Sequence, residues 1–351
     1  MNHMFEESSS IKSLDLSSLS TPNLVKCGNM FQKCTSLETI NLSNFKTDSA
    51  TDISSMFSGC KSLKSLELSS FKTSQVIQFS SLFQDCNSLE SINLRSFDTS
   101  SGTSFYNMFY NCHSLRSIDL SNFNMEKATD ISNMFYNCTK LDNINLNNFN
   151  TKSLARMGSM FQSCTSLRNI DLSSFDVRYV TSFANLFSGC TSLTSIDLSM
   201  WVTNSLTDMS SMFEGCTSLR NVNIKNFETG QVNLFSKLFL GCTSLPDVDL
   251  TTLKTNKVKD LSYMFERCTS LTSLNLSNFN TETAIDMRGM FRGCTGLKEL
   301  DLTSFNTKSI NTLSDIFSGI EHKLKVKLVE ENCQKLIEKY EFDDNIIFEF
   351  V

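Results

Sequence analysis

Thirteen cysteines and three histidines are the side chains of this 351-residue chain best suited to nucleophilic, redox or metal chemistry. Eleven of the cysteines stand at 34, 60, 86, 112, 138, 164, 190, 216, 242, 268 and 294, each 26 residues after the last. A thiol acts as a nucleophile when a base lies beside it, and zinc sites draw on closely spaced ligand pairs. Cys112-His113 is the one adjacent pair, and neighbours in sequence face different directions. No C-x-x-C, phosphate-binding glycine loop, G-x-G-x-x-G or H-E-x-x-H occurs. Eleven equivalent thiols in step with Met and Phe are read as reduced core residues, because a disulfide needs side-chain vectors that converge. The expectation is a protein with no catalytic residues, no metal and no cofactor.

Two other sets of residues are better candidates for binding. One column runs Asp15, Asn41, Glu67, Asn93, Asp119, Asn145, Asp171, Asp197, Asn223, Asp249, Asn275, Asp301. Acid and amide almost alternate, which lets a carboxylate share hydrogen bonds with a carboxamide instead of facing a like charge. Asp171 and Asp197 break the alternation, and two stacked carboxylates are expected to raise one another's pKa unless a cation or basic partner intervenes. In the second set, Tyr106 and Tyr110 are i and i+4, and Tyr136 follows Tyr110 by 26, so the three are expected to meet at the surface, as interface anchors do. The ligand-binding candidates are therefore Asp119, Asn145, Asp171, Asp197, Tyr106, Tyr110 and Tyr136.

These residues are positioned by an internal repeat. Phenylalanine recurs from Phe5 to Phe317 in steps of 26 without an insertion or deletion. In the unit Met56 to Ser81, Leu63, Leu66 and Leu68 have the L-x-x-L-x-L spacing of a short strand. Ile53, Met56, Phe57 and Cys60 stand at i, i+3, i+4 and i+7, which predicts a short helix, with Asp52 at its N-cap and Gly59 at its stop. The F-x-T column, from Thr21 to Thr307, is read as hydroxyls closing a turn, with Met125 and Val177 the exceptions. Trp201 stands in the inward Phe column and is assigned to the core.

The expected fold is an α/β solenoid, a leucine-rich-repeat array of short parallel strands and short convex-side helices. Residues 1–319 are assigned to about twelve 26-residue units. From about Ile320 the pattern becomes strand, helix, strand, so 320–351 is assigned to a C-terminal cap over the last rung. Two prolines and twelve glycines leave no Pro/Gly-rich linker. The formal charge of −6 argues against nucleic acid, whose phosphates need a basic stripe. The first residues lack the basic and apolar regions of a secretory signal, and no apolar run suits a transmembrane helix, so direct membrane insertion is not expected.

The motif F-x-x-C-x-S-L-x-x-I-x-L-S-x-F-x-T, carried by nearly the whole chain, resembles the BspA-like leucine-rich-repeat proteins of bacteria, mycoplasmas and parasitic protozoa. Members of that family are typically cell-surface proteins implicated in adhesion. The resemblance therefore implies a cell-surface or extracellular protein that binds, without catalysis, a protein or glycan on host matrix or another cell. The free thiols and absent export signal support the alternative, a cytoplasmic scaffold for protein–protein interaction.

Overall fold

The computed structural model describes residues 1–351, which divide into two compact units, Met1–Val177 and Arg178–Val351. Each is a solenoid of 26-residue coils.

In unit 1 the leucine columns form four three-residue strands: β1 (Ser13–Asp15), β2 (Thr39–Asn41), β3 (Ser117–Asp119) and β4 (Asn143–Asn145). β1 pairs with β2 and β3 with β4, all parallel, with Leu14 opposite Ile40 and Ile118 opposite Ile144. The central residue turns inward and its neighbours turn out, the period-two pattern of a strand. The intervening coils keep Leu66, Leu68 and Leu94 buried without forming a registered strand pair.

The opposite side of the coil is not helical, which corrects the helix expected over the Ile-Met-Phe-Cys spacing. Along Phe105–Cys112, the N–H groups of Phe105, Asn107, Phe109 and Asn111 donate to Asp130, Ser132, Met134 and Tyr136 of the next coil, at 2.9, 3.1, 2.9 and 2.8 Å. The alternate N–H groups of Met108, Tyr110 and Cys112 return to the carbonyls three residues back, each at 3.1 Å. A helix would direct all of them to its own fourth-preceding carbonyls. Here a run of tight turns satisfies half of its amides locally and half between coils, which still accounts for every buried donor. The geometry requires a left-handed residue at every fourth position, and Asn107 and Asn111 take it with φ of 57° and 59°. Asn, Asp, Ser and Gly dominate those two columns because they tolerate that region best.

The expected N-cap column is a second ladder. Lys26, Asp52, Gln78, Ser104, Asp130 and Arg156 form successive parallel bridges. Asp52 Oδ1 accepts the Ser54 N–H at 2.9 Å and its hydroxyl at 2.6 Å, a side-chain turn and not a helix cap.

Between the two ladders lies a core stacked column on column. Phe5, Phe31, Phe57, Phe83, Phe109, Phe135 and Phe161 stack with centroids 5.4 to 5.9 Å apart. Beside them, the thiols of Cys60, Cys86, Cys112, Cys138 and Cys164 donate to the carbonyls of Phe31, Phe57, Phe83, Phe109 and Phe135 at 3.1 to 3.2 Å. Burial pushes the Cys164 thiol up to about 12.

The threonine column also works between coils and not within its own turn. Thr73 Oγ1 donates to the Asp98 carbonyl at 2.9 Å and accepts the Asp98 N–H at 2.8 Å. Thr47 treats Lys72 in the same way. Met125 cannot serve the next coil, where the Asn150 N–H turns back to the Asn148 carbonyl at 2.7 Å and Asn148 adopts φ 69°. Asn148 is the one left-handed non-glycine residue outside the two periodic columns.

Unit 2 repeats these devices. β5 (Ser195–Asp197) pairs with β6 (Asn221–Asn223), and β7 (Glu299–Asp301), β8 (Leu324–Leu328) and β9 (Ile346–Phe350) form a parallel sheet in that order. Bridges link Ser182, Asp208, Leu234, Asp260, Asp286 and Thr312, and the phenylalanines from Phe187 to Phe317 stack. Trp201 lies in the second ring column, 1% exposed, stacked on Phe227. A 3-10 turn (Glu330–Asn332) and α1 (Gln334–Tyr340) connect β8 to β9. α1 buries Leu336 and Tyr340, whose ring meets Phe317 edge-on at 5.2 Å. Lys335 Nζ reaches the carbonyls of Lys308 and Ile310 at 2.8 and 2.7 Å. This seven-residue helix is the only α-helix, and no helix is long and apolar enough to cross a membrane.

Candidate functional site

The acid–amide column owes its residue types to a turn at the end of each strand segment. In unit 1, Oδ1 of Asp15, Asn41, Asp119, Asn145 and Asp171 accepts the N–H two residues on, from Ser17, Ser43, Ser121, Asn147 and Ser173, at 2.8 to 3.2 Å. Asp and Asn have the length for this turn. The sharing between carboxylate and carboxamide is also present, as Asn41 bonds Asp15 and Asn145 bonds Asp119.

These hydrogen bonds set the charges. Asp119 is held below the ordinary carboxyl range by the Ser121 side chain and N–H, with Arg95 3.8 Å away assisting. Asp171 is lowered by the N–H and hydroxyl of Ser173. In unit 2 Asp197 is lowered by the Ser199 hydroxyl and N–H, with smaller help from Asn223 and Lys225. The expected upward shift of Asp171 and Asp197 is thus reversed, because each turn donates to its own carboxylate.

Three of the predicted residues meet in unit 1. Asp119, Asn145 and Asp171, with Ser117, Asn143 and Asn147, line an open depression of about 490 Å³ to which Ile118 and Ile144 also contribute. Asn143 and Asn147 were not among the candidates, although the run Asn-Ile-Asn-Leu-Asn-Asn-Phe-Asn at 143–150 marks this coil as unlike the others. The left-handed turn at Asn148 follows directly, and Met125 in a threonine column was its signal.

The tyrosines lie on the turn side of unit 1. Tyr110 and Tyr136 stack with centroids 4.6 Å apart and planes 5° apart, both half-buried, while Tyr106 is 40% exposed. Partial burial, then Tyr136, Asp85 and Tyr106, pushes the Tyr110 phenol up, so it stays a donor. Beside the stack, Asn111 Nδ2 donates to Asp85 Oδ1 at 2.7 Å and Asn137 Nδ2 to Asn111 Oδ1 at 3.0 Å. Sequence reasoning missed this three-coil chain; the same column reads Gly189, Gly215, Gly241, Arg267, Gly293 and Gly319 in unit 2. His113 Nδ1 lies 3.1 Å from the Asn137 carbonyl, while the Cys112 thiol is directed at Phe83, so the adjacent pair is not coupled.

In unit 2, Met200 and Val202, 71% and 50% exposed, flank the buried Trp201 beside a depression of about 560 Å³.

Among solved structures, the chain is similar to a leucine-rich-repeat protein from T. pallidum, at 25% identity over 54% of this chain and 68% of that one, with a TM-score of 0.32. It is also similar to a leucine-rich-repeat protein from Eubacterium ventriosum, at 17% identity over 88% and 82%, with a TM-score of 0.43. A third likeness is to TLR13 in a TLR13–ssRNA13 complex, at 15% identity over 96% and 54%, with a TM-score of 0.33. No curated protein matches. Six overlapping matches, at residues 1–118, 27–143, 65–169, 103–225, 142–247 and 208–328, cover almost all of the repeats. With leucine columns, parallel coils and these matches together, the chain belongs to the family described as Mycoplasma protein of unknown function, DUF285.

Proposed function

We propose that this chain is a non-enzymatic binding protein of the BspA-like kind, presenting its strand-side surface to a protein or glycan at a cell surface. The observation that carries the reading is the depression around Asp119, Asn145 and Asp171 in unit 1. Its polar heads are fixed by turns before any ligand arrives, so less side-chain freedom remains to be lost on binding. Contact over several coils would supply adhesion from many small interactions.

A second reading, an intracellular scaffold, draws support from thirteen buried thiols, none of them in a disulfide, which suit a reducing compartment. Antibody labelling of intact and permeabilised source cells, followed by protease shaving, separates the two. Signal on intact cells that shaving removes is the expected result, whereas signal only after permeabilisation selects the scaffold. Asp119→Asn and Asp171→Asn keep the turn acceptor and remove the charge. They are expected to weaken attachment of protein-coated beads to cells, and equal attachment would take the depression out of the site.

A further inference from the structure

We propose that the turn side of unit 1, at Tyr106, Tyr110, Tyr136, Asp85, Asn111 and Asn137, is a binding site for an uncharged glycan chain. The inference rests on the reading of this chain as a binding protein and names a ligand class for its tyrosine face.

The chemistry of the patch selects the ligand. Its six residues offer phenol donors, amides that both donate and accept, and one carboxylate, with no lysine or arginine among them. An anionic polymer would face Asp85 without a compensating cation, whereas a polyol can donate to the carboxylate and accept from the amides and phenols. The groups also recur coil by coil. Asp85, Asn111 and Asn137 are joined across three coils, and the Tyr110–Tyr136 centroids are 4.6 Å apart. A linear chain of pyranose rings lying along the coils would therefore meet similar groups at successive rungs. A protein hot spot is instead built around a desolvated apolar or aromatic anchor in a pocket. Here the two half-buried rings use one face each on one another, leaving edges and hydroxyls for the ligand.

A second observation points to a missing hydrogen-bond donor. Three buried side-chain oxygens in the chain have no partner, and one of them, Asn107 Oδ1, belongs to a residue of this face. Asn107 adjoins Tyr106 in sequence, its carbonyl accepts the Tyr110 N–H, and it is 9% exposed, with Nδ2 3.4 Å from Gln84 Oε1. A buried acceptor without a donor is costly, which gives the Asn107 amide reason to turn out and take a donor from a hydroxyl-rich ligand. In unit 2 the column of Asp85, Asn111 and Asn137 reads Gly189, Gly215, Gly241, Arg267, Gly293 and Gly319, so it offers no comparable amide chain.

The test uses the full chain with cellohexaose, chitohexaose and mannohexaose as neutral probes and a heparin hexasaccharide as the charged one, read by calorimetry and by saturation transfer on the sugar protons. At least one neutral hexasaccharide is expected to bind and heparin is not. Tyr110→Phe with Tyr136→Phe keeps the stack and removes both hydroxyls, and is expected to weaken binding about tenfold, the equivalent of one hydrogen bond. Asn111→Ala is expected to do the same, and Glu338→Gln, exposed on α1 of unit 2, to change nothing. No binding of any neutral probe at millimolar concentration, binding of heparin alone, or undiminished binding by the paired Phe variant overturns the inference. Each of these can occur while the chain still labels on intact cells, in which case only the glycan assignment fails. Interior labelling instead removes the surface function, independently of the titration.

Discussion

Replacing Thr73 with valine exchanges a hydroxyl for a methyl of nearly the same shape at a position 1% exposed. The hydroxyl both donates to the Asp98 carbonyl at 2.9 Å and accepts the Asp98 N–H at 2.8 Å, so the change strands two backbone groups between coils. Each stranded group costs about 1–3 kcal/mol, and the added methyl returns roughly 0.8 kcal/mol. The expected net loss is about 1–5 kcal/mol, less where the backbone relaxes as it has beside Met125. Thr73→Ser retains the hydroxyl and is expected to cost about 1 kcal/mol for its missing methyl. Urea melts report the global change, but repeat arrays can melt in stages, so native-state hydrogen exchange at the Asp98 amide is the sharper assay. Its protection is expected to fall by about 5- to 4000-fold in the valine variant and to change little in the serine variant. If valine costs less than serine and the Asp98 amide remains protected, the hydroxyl is not what ties these coils.

Carboxyls such as Asp98 and Asp171 lie below their ordinary value because of hydrogen bonds from Ser100 and Ser173. Folded carboxyls of this kind bind protons more weakly than unfolded ones, so their stabilisation is present above about pH 4 and is lost as pH falls through the lowered pKa. Urea melts from pH 6 downward are expected to show that acid limb, and Asp171→Asn to flatten it; an unchanged limb counts against the assignment. Burial pushes the Cys333 thiol up to about 11 and Cys164 to about 12, so an aromatic disulfide reagent at pH 8 is expected to label these thiols no faster than the chain opens. Gly289 has φ +58°, and a Cβ there would lie 2.4 Å from Tyr263 Cδ1. Gly289→Ala is expected to cost about 2 kcal/mol, falling to about 1 kcal/mol in a Tyr263→Ser background, where only the left-handed backbone is penalised. Equal losses in both backgrounds would mean that the ring moves aside freely.

The columns of the core were legible because one residue type fills each: Phe for the stacks, Cys for the thiols, Leu for the strand side. The turn segment was misread for an instructive reason. Ile53, Met56, Phe57 and Cys60 face inward at helical spacing, yet consecutive tight turns also bring positions three and four apart to one side. The distinguishing mark was Ser55 and Gly59, or Asn107 and Asn111, left-handed formers four apart where a helix interior disfavours Asn and Gly. The stacked tyrosines could be anticipated from their 26-residue step, whereas Asp85, Asn111 and Asn137 could not, since their joining depends on amide orientations across three coils. The lowered carboxyls were missed because a local N–H, invisible to a count of charges, outweighed neighbouring acids.

Within each unit, neighbouring coils are tied along their strand side and again along their turn side, and those two seams bear on how the gene can change. Removing one residue between the seams would shift one of them relative to the other, so that inward phenylalanines and cysteines would face water while the amides between coils lost their carbonyls. Removing or adding 26 residues shifts neither. Recombination between repeats that keeps whole units is therefore the route by which such a chain can lengthen or shorten and still fold. A surface assembled coil by coil, such as the three-coil tyrosine face, would then be inherited, duplicated or lost in whole steps.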